Sequence, residues 1–151
     1  MSLRVLVVLA LVLAAAQAWR FEESNPPVRG DLHAPPWIDA ALRTACYDCH
    51  SNETRWPWYS SIAPASWLVH HDVSEGRRRL NFSLWSEYAG DPGTLEQKLK
   101  SIRTRMSEGD MAPWYYRAVH PDSRWSNAQR DQVLRWVDAE LAAPPAHSAE
   151  R

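Results

Sequence analysis

Residues 46–50 read Cys46-Tyr47-Asp48-Cys49-His50 and run on into Ser51-Asn52-Glu53-Thr54. C-x-x-C-H is the attachment signature of a c-type haem. Two residues between the cysteines hold both sulfurs within one turn of backbone, where they reach the two vinyl groups on one edge of a porphyrin. The adjacent imidazole is then carried under the iron. Cys46 and Cys49 are therefore expected to bind one covalent haem c, with His50 as an iron ligand. The competing uses of a cysteine pair fit less well. A thioredoxin-type pair wants a βαβ pattern nearby, and none is present. A structural zinc normally takes four ligands, whereas only these two cysteines and scattered histidines are on offer. A disulfide across two residues closes almost no loop and restrains the unfolded chain very little.

Outward from the motif, the chain reads as helices. Upstream, Pro35-Pro36 opens a short helix from Trp37 to Ala45, since proline is well tolerated in a first turn. Trp37, Ile38, Ala41, Leu42 and Ala45 give it an apolar face that leads directly into Cys46. Downstream, after the aromatic stretch Trp56-Pro57-Trp58-Tyr59, Pro64 opens a second helix over about Ala65–Glu75, with Gly76 near its end. Arg77, Arg78 and Arg79 then read as a solvated surface turn, and residues 80–93 as loop with at most one helical turn. Thr94 with Gln97 forms a capping-box pattern for a third helix, with a stripe of Leu95, Leu99, Ile102 and Met106. Gly109 and Pro113 mark the break after it. Ser126 with Gln129 repeats the pattern and opens a fourth helix to about Leu141, its core stripe Leu134, Val137 and Leu141, flanked by Val133 and Trp136. No period-2 alternation long enough for a sheet occurs, so the class is all-α, one domain of about four helices.

The first 18 residues are an addressing signal. Arg4 precedes an apolar run from Val5 to Ala16 and the small-x-small pattern Ala16-Gln17-Ala18. Both a cleaved signal peptide and a retained membrane anchor, counted from Leu3 to Trp19, fit this layout, and both place the rest of the chain in the periplasm. Residues 19–34 read as a linker or extended arm, 35–141 as the haem-binding domain, and the stretch from Ala142 as a disordered tail. The 17 Lys and Arg against 18 Asp and Glu leave no basic field for nucleic acid. Nine tryptophans suit a core built round a large planar ligand, though ordinary core packing accounts for them nearly as well.

The sixth iron ligand is open to several side chains. Met106 continues the third helix's apolar stripe and reads as core. Met111 lies past Gly109 on an irregular segment stiffened by Pro113, and is the expected ligand. His70, His71 and His120 are the alternatives, although adjacent helical positions diverge by about 100°, so His70 and His71 cannot both face one iron. Carbonyls around Ala63 and Pro64 are the expected acceptors for the other imidazole nitrogen of His50. Trp56, Trp58, Tyr59 and Arg55 are candidates for contact with the porphyrin or its propionates. Asn52 and Asn81 each begin a glycosylation sequon, a pattern too short to carry weight.

The stretches from Cys46 to Trp85 and from Gly109 to Val137, with Asn25-Pro26-Pro27 upstream, resemble a bacterial haem-binding domain family that shares a C-x-x-C-H-S-N-x-T motif. The resemblance covers about residues 25–138. It implies a cytochrome c-like domain, export or a membrane tether, haem on Cys46 and Cys49, His50 as proximal ligand and Met111 in the distal segment. The family usually has Met-Pro-Pro where this chain has Met111-Ala112-Pro113. The function expected is single-electron transfer with redox partner proteins, after loading by the haem attachment machinery, rather than enzymatic turnover. The alternative is a haem sensor or peroxidase-like protein with an open or labile sixth position, and a non-redox haem-holding module is a third class.

Overall fold

The computed structural model describes residues 2–143. Among these there are helices and short 3-10 turns but no strands; the one bridge pairs Gly30 with Leu84. The α-helices are α1 (Leu3–Ala16), α2 (Pro36–Ala45), α3 (Tyr47–His50), α4 (Ala65–Arg79), α5 (Trp85–Ala89), α6 (Pro92–Glu108), α7 (Trp114–Val119) and α8 (Asn127–Ala142). The four expected helices are present as α2, α4, α6 and α8; α1 lies in the N-terminal segment, and α3, α5 and α7 are short. The tail expected to be disordered lies, beyond Ala143, outside the described residues.

The core forms where α2, α6 and α8 meet. Ile38 and Leu42, one turn apart on α2, pack with Leu99, Ile102 and Met106 of α6 and with Val133, Trp136 and Val137 of α8. Burying each large aliphatic side chain contributes roughly 1.5–3 kcal/mol. On α8 the buried face is Val133, Trp136 and Val137, while Leu134 and Leu141 sit at its margin. The face is thus rotated by one residue from the expected stripe. The capping box of Ser126 and Gln129 is present in both directions. The start of α6 differs from expectation: the helix begins at Pro92, and Asp91 rather than Thr94 caps it, accepting from the Gly93 amide and from the Thr94 hydroxyl. Proline at the first helical position lets the turn begin before Thr94. Gly109, at φ 78°, ends α6 in the left-handed region.

Helix α4 runs through Gly76 to Arg79 instead of stopping at Glu75. Gly76 is there for close approach: a Cβ built on it would lie 2.2 Å from the Cys49 carbonyl oxygen. Its lack of a side chain lets α4 pack flat on α3. Arg77 is likewise no solvated turn residue. It donates to the Ser51 and Ser24 carbonyls, to the Asn25 side chain and to the Thr54 hydroxyl. Arg78 and Arg79 are exposed and pair with Glu75.

The arm before α2 is extended, and it is fastened to the domain. Leu32 is buried in the core, and Arg43 gathers Asp31, Asp39 and Glu53 about itself. Helix α1 has 14 residues, all but Ala16 exposed, and it ends at Ala16 short of the expected Trp19. At about 1.5 Å per residue such a helix falls short of a hydrocarbon core of about 30 Å. No helix among the described residues is long and apolar enough to cross a membrane.

Gly76→Ala is expected to destabilise the protein by about 1–3 kcal/mol, because overpacking forces α4 away from α3. Gly93→Ala, whose Cβ would meet nothing nearer than the Asp91 carboxylate at 3.6 Å, is expected to change stability by less than about 1 kcal/mol. Denaturant midpoints of the two variants measure the contrast.

Candidate functional site

Helix α3 is a single turn, and it carries the whole C-x-x-C-H motif with Cys46 as its N-terminal flank. Cys46 and Cys49 are unbridged. Both thiols are pushed up to about 12, by burial first; for Cys46 the neighbouring Cys49 adds to this, and for Cys49 the Asp72 and Asp48 carboxylates do. They therefore stay as thiols at neutral pH in the haem-free chain.

His50 is fixed by its Nδ1, which lies 3.0 Å from the Gly76 carbonyl oxygen and 3.1 Å from that of Leu80. Carbonyls can only accept, so Nδ1 carries the proton and Nε2 keeps its lone pair. Burial holds the imidazole below its ordinary pKa, the two carbonyls opposing in part. A neutral ring with a basic Nε2, its orientation set by an outer hydrogen bond, is the form that ligates a metal. The acceptors are not the carbonyls expected around Ala63 and Pro64. The backbone amide and carbonyl of Ala63 instead bond the side-chain amide of Gln17.

The remainder of the C-x-x-C-H-S-N-x-T motif is framework. Ser51 Oγ donates to the Tyr47 carbonyl and accepts from the Glu53 amide, while the Asn52 amide group bonds Pro27 and Asn81. Thr54 Oγ1 donates to the Asp48 carbonyl. Asn52 and Asn81 are both buried, so neither sequon is presented to solvent.

Asp48, between the two cysteines, is also buried and collects the Arg55 guanidinium, the Arg55 amide and the Tyr116 hydroxyl, the last at 2.7 Å. Beside it, Tyr115 donates to Asp72 at 2.9 Å. Burial, reinforced by these carboxylates, raises the pKa of both phenols, that of Tyr115 to about 12. The sequence reading passed over Asp48, Asp72, Tyr115 and Tyr116, because single polar residues without a spacing rule give no signal. It passed over Gly76 and Leu80 because backbone carbonyls have none at all.

Of the residues expected as a second iron ligand, Met111 lines one cleft with Cys46, Met106 and Trp125. Met106 is core, as expected. The histidines are engaged or remote. The His70 ring stacks between Phe21 and Trp56, with centroids 4.8 Å from each. His71 is exposed, and His120 Nε2 lies 2.7 Å from the Tyr59 hydroxyl. Of the residues expected near the porphyrin, Arg55 is bound to Asp48, Trp58 is 78% exposed and Trp56 lies against His70. Tyr59 does line the cleft beside Cys49. Among the described residues the buried indole N–H groups of Trp56, Trp125 and Trp136 have no acceptor, and Trp125 lines the Cys46 cleft. Unbridged thiols beside an oriented neutral imidazole fit a covalently held haem.

A family model described as a haem-binding domain matches residues 5–139. Among curated proteins the chain is similar to the cytochrome c peroxidase Ccp of Escherichia coli (strain K12), 26% identical over 98 residues. That alignment takes in 64% of this chain and 21% of the relative, so the chain spans about a fifth of the relative's length. No solved structure matches the chain at comparable significance.

In haem-free protein, alkylation of Cys46 and Cys49 should be slow at pH 8 and gain speed only as pH climbs towards the raised value of about 12. Unfolded thiols ionise near the ordinary 9.0, so the unfolded chain loses protons first. Stability is then full below that pH and declines as pH rises through the interval to about 12. Reaction rates with a thiol reagent, alongside melts at a series of pH values, check both statements.

Proposed function

The chain belongs to the haem-binding domain family, and on that premise we propose that it holds one haem c through Cys46 and Cys49, with His50 and Met111 as the residues that would ligate its iron. We further propose that it passes single electrons on the outer side of a bacterial-type inner membrane. The observation that carries the reading is the His50 imidazole, held as the Nδ1–H tautomer by Gly76 and Leu80, one residue from a pair of unbridged thiols.

When bound, the haem supplies the one-electron chemistry. The chain's own contribution is to fix and to exclude. The Gly76 and Leu80 carbonyls keep the imidazole from rotating, and packing of α3 on α4 keeps water from its Nδ1 side. Met111, on an irregular segment ending at Pro113, offers a thioether, and His/Met ligation is common in electron-carrying cytochromes. Export is supported by Arg4, the apolar α1 and Ala16-Gln17-Ala18, and by the need to attach a c-type haem outside the cytoplasm. The redox partner and the attachment machinery follow from the same reading.

A second reading, a haem sensor or peroxidase-like protein, is favoured by the similarity to a protein named a cytochrome c peroxidase. The sixth ligand separates the two.

Protein made in a host competent in haem attachment should be coloured, with a mass increased by one haem and no alkylatable thiol. A colourless product with two free thiols overturns the proposal. The same mass reports whether residues 1–18 are retained. Met111→Ala should abolish the weak far-red band of methionine-ligated ferric haem and open the iron to carbon monoxide. Rapid carbon monoxide binding by the unmodified reduced protein would instead support the sensor or peroxidase-like reading.

A further inference from the structure

Helix α7 follows Met111 by three residues and has no buried residue of its own. Unlike α2, α6 and α8 it adds no residue to the core; it rests on the partly buried rings of Tyr115 and Tyr116, while Trp114, Ala118 and Val119 are exposed. Its directed attachments are polar. Tyr115 and Tyr116, successive residues that diverge by about 100° round the helix, reach two different neighbours. The Tyr115 hydroxyl donates to Asp72 on α4 at 2.9 Å, and the Tyr116 hydroxyl donates to Asp48 on α3 at 2.7 Å. At the far end of α7, the Tyr116 ring stacks on His120 at 4.2 Å, and His120 is tied to Tyr59. Two phenol–carboxylate bonds thus fasten the segment carrying Met111 to the helix that carries the cysteines and to the helix that orients His50. Between Met111 and the tyrosines stands Pro113, whose fixed φ limits how far the two can move independently.

We propose that Tyr115 and Tyr116 are positioning residues for the sixth iron ligand, their bonds to Asp72 and Asp48 deciding whether Met111 stays on the iron or yields to a small external ligand. The proposal rests on Met111 being that ligand. The hydroxyls are bonded to Asp72 and Asp48 and not to the thioether; each acts through the backbone of residues 111–116. Two hydrogen bonds to carboxyl groups, one on each of two neighbouring helices, clasp this six-residue helix in a single orientation.

The test uses the full chain with haem attached. Tyr115→Phe, Tyr116→Phe and the double variant keep the rings and remove only the hydroxyls; Tyr88→Phe, on α5, is the control. Cyanide binding to the ferric protein is followed by stopped-flow, together with the far-red band of methionine ligation. Each clasp variant is expected to bind cyanide about tenfold faster, the factor one charge-assisted bond commands, and the double variant to lose the band while its helical circular dichroism is kept. Asp72→Asn retains an acceptor without its charge and should fall between the unmodified protein and Tyr115→Phe, which keeps the idea testable should the double variant not fold. A band and rate unchanged in the tyrosine variants overturn the inference alone. Absence of the band from the unmodified protein overturns the ligand assignment and this inference with it.

Discussion

The structure turns on one imidazole N–H shared between two carbonyls. The last carbonyls of an α-helix have no partner within the helix, and something must donate to them. At the end of α4 the Gly76 carbonyl accepts from the Leu80 amide and, on its second lone pair, from His50 Nδ1, which also reaches the Leu80 carbonyl just past the helix. The arrangement serves both sides. The helix end gains a donor, as a histidine near a C-terminus can supply, and the imidazole gains a single tautomer and a fixed plane. The negative end of the α4 dipole would by itself favour a protonated ring. Burial opposes it and prevails, so the pKa falls and the ring remains neutral. On the proposed reading, the contact that secures the helix end also prepares the ligand.

This contact makes demands on the residues around it. Helices α3 and α4 must lie nearly backbone to backbone, which is why position 76 tolerates only glycine. Helix α3 is a single turn and cannot hold itself in register, since isolated short helices are marginal in water. Its supports come from the S-N-x-T half of the motif and from Arg77. Thr54 returns to the Asp48 carbonyl, Ser51 to that of Tyr47, and Arg77 reaches Ser51, Thr54 and the arm at Ser24 and Asn25. The arm closes the ring when Asn25 donates to the Thr54 carbonyl and Pro27 accepts from Asn52. Asn25-Pro26-Pro27, Ser51, Asn52 and Thr54 thus form one hydrogen-bonded belt around the cysteine turn, which gives the extended motif a structural reason in every position that the haem itself does not use.

What was legible in the sequence follows from the same division. Helices α2, α6 and α8 are held by burial, and burial writes a periodic stripe, so Ile38 and Leu42, Leu99 and Ile102, and Val137 could be read directly. Val133 against Leu134 could not be separated, because two adjacent aliphatic residues give the stripe the same strength in either phase. Glycine was the ambiguous letter. At Gly109 it ends a helix in the left-handed region, as read, whereas at Gly76 it sits inside a helix because another backbone passes too close for a Cβ. The two uses look alike in one dimension. The cap of α6 was misplaced by a similar degeneracy, since Asp91 and Thr94 are both good capping residues and only Pro92 between them decides. Helix α7 was missed for a stronger reason: with no buried residue it has no stripe to detect.

Segments held by burial and segments held by hydrogen bonds respond to change in different ways. Loosening α6 or α8 exposes core and lowers the stability of the whole molecule, so those helices are bound to the global folding equilibrium. Loosening α7 uncovers two partly buried tyrosine rings but no member of the core, and local opening of such a segment can cost less than global unfolding. On the proposed reading the iron therefore has one ligand in each class. His50 belongs to the α3–α4 contact and can be lost only with the fold around it, while Met111 belongs to a strap whose attachment is set by a few polar contacts. That asymmetry bears on the choice between an electron carrier and a protein that admits a ligand. On that reading the same scaffold can serve either, and the choice in this chain is made at Asp48, Asp72 and the two phenols that reach them, without any change in the core.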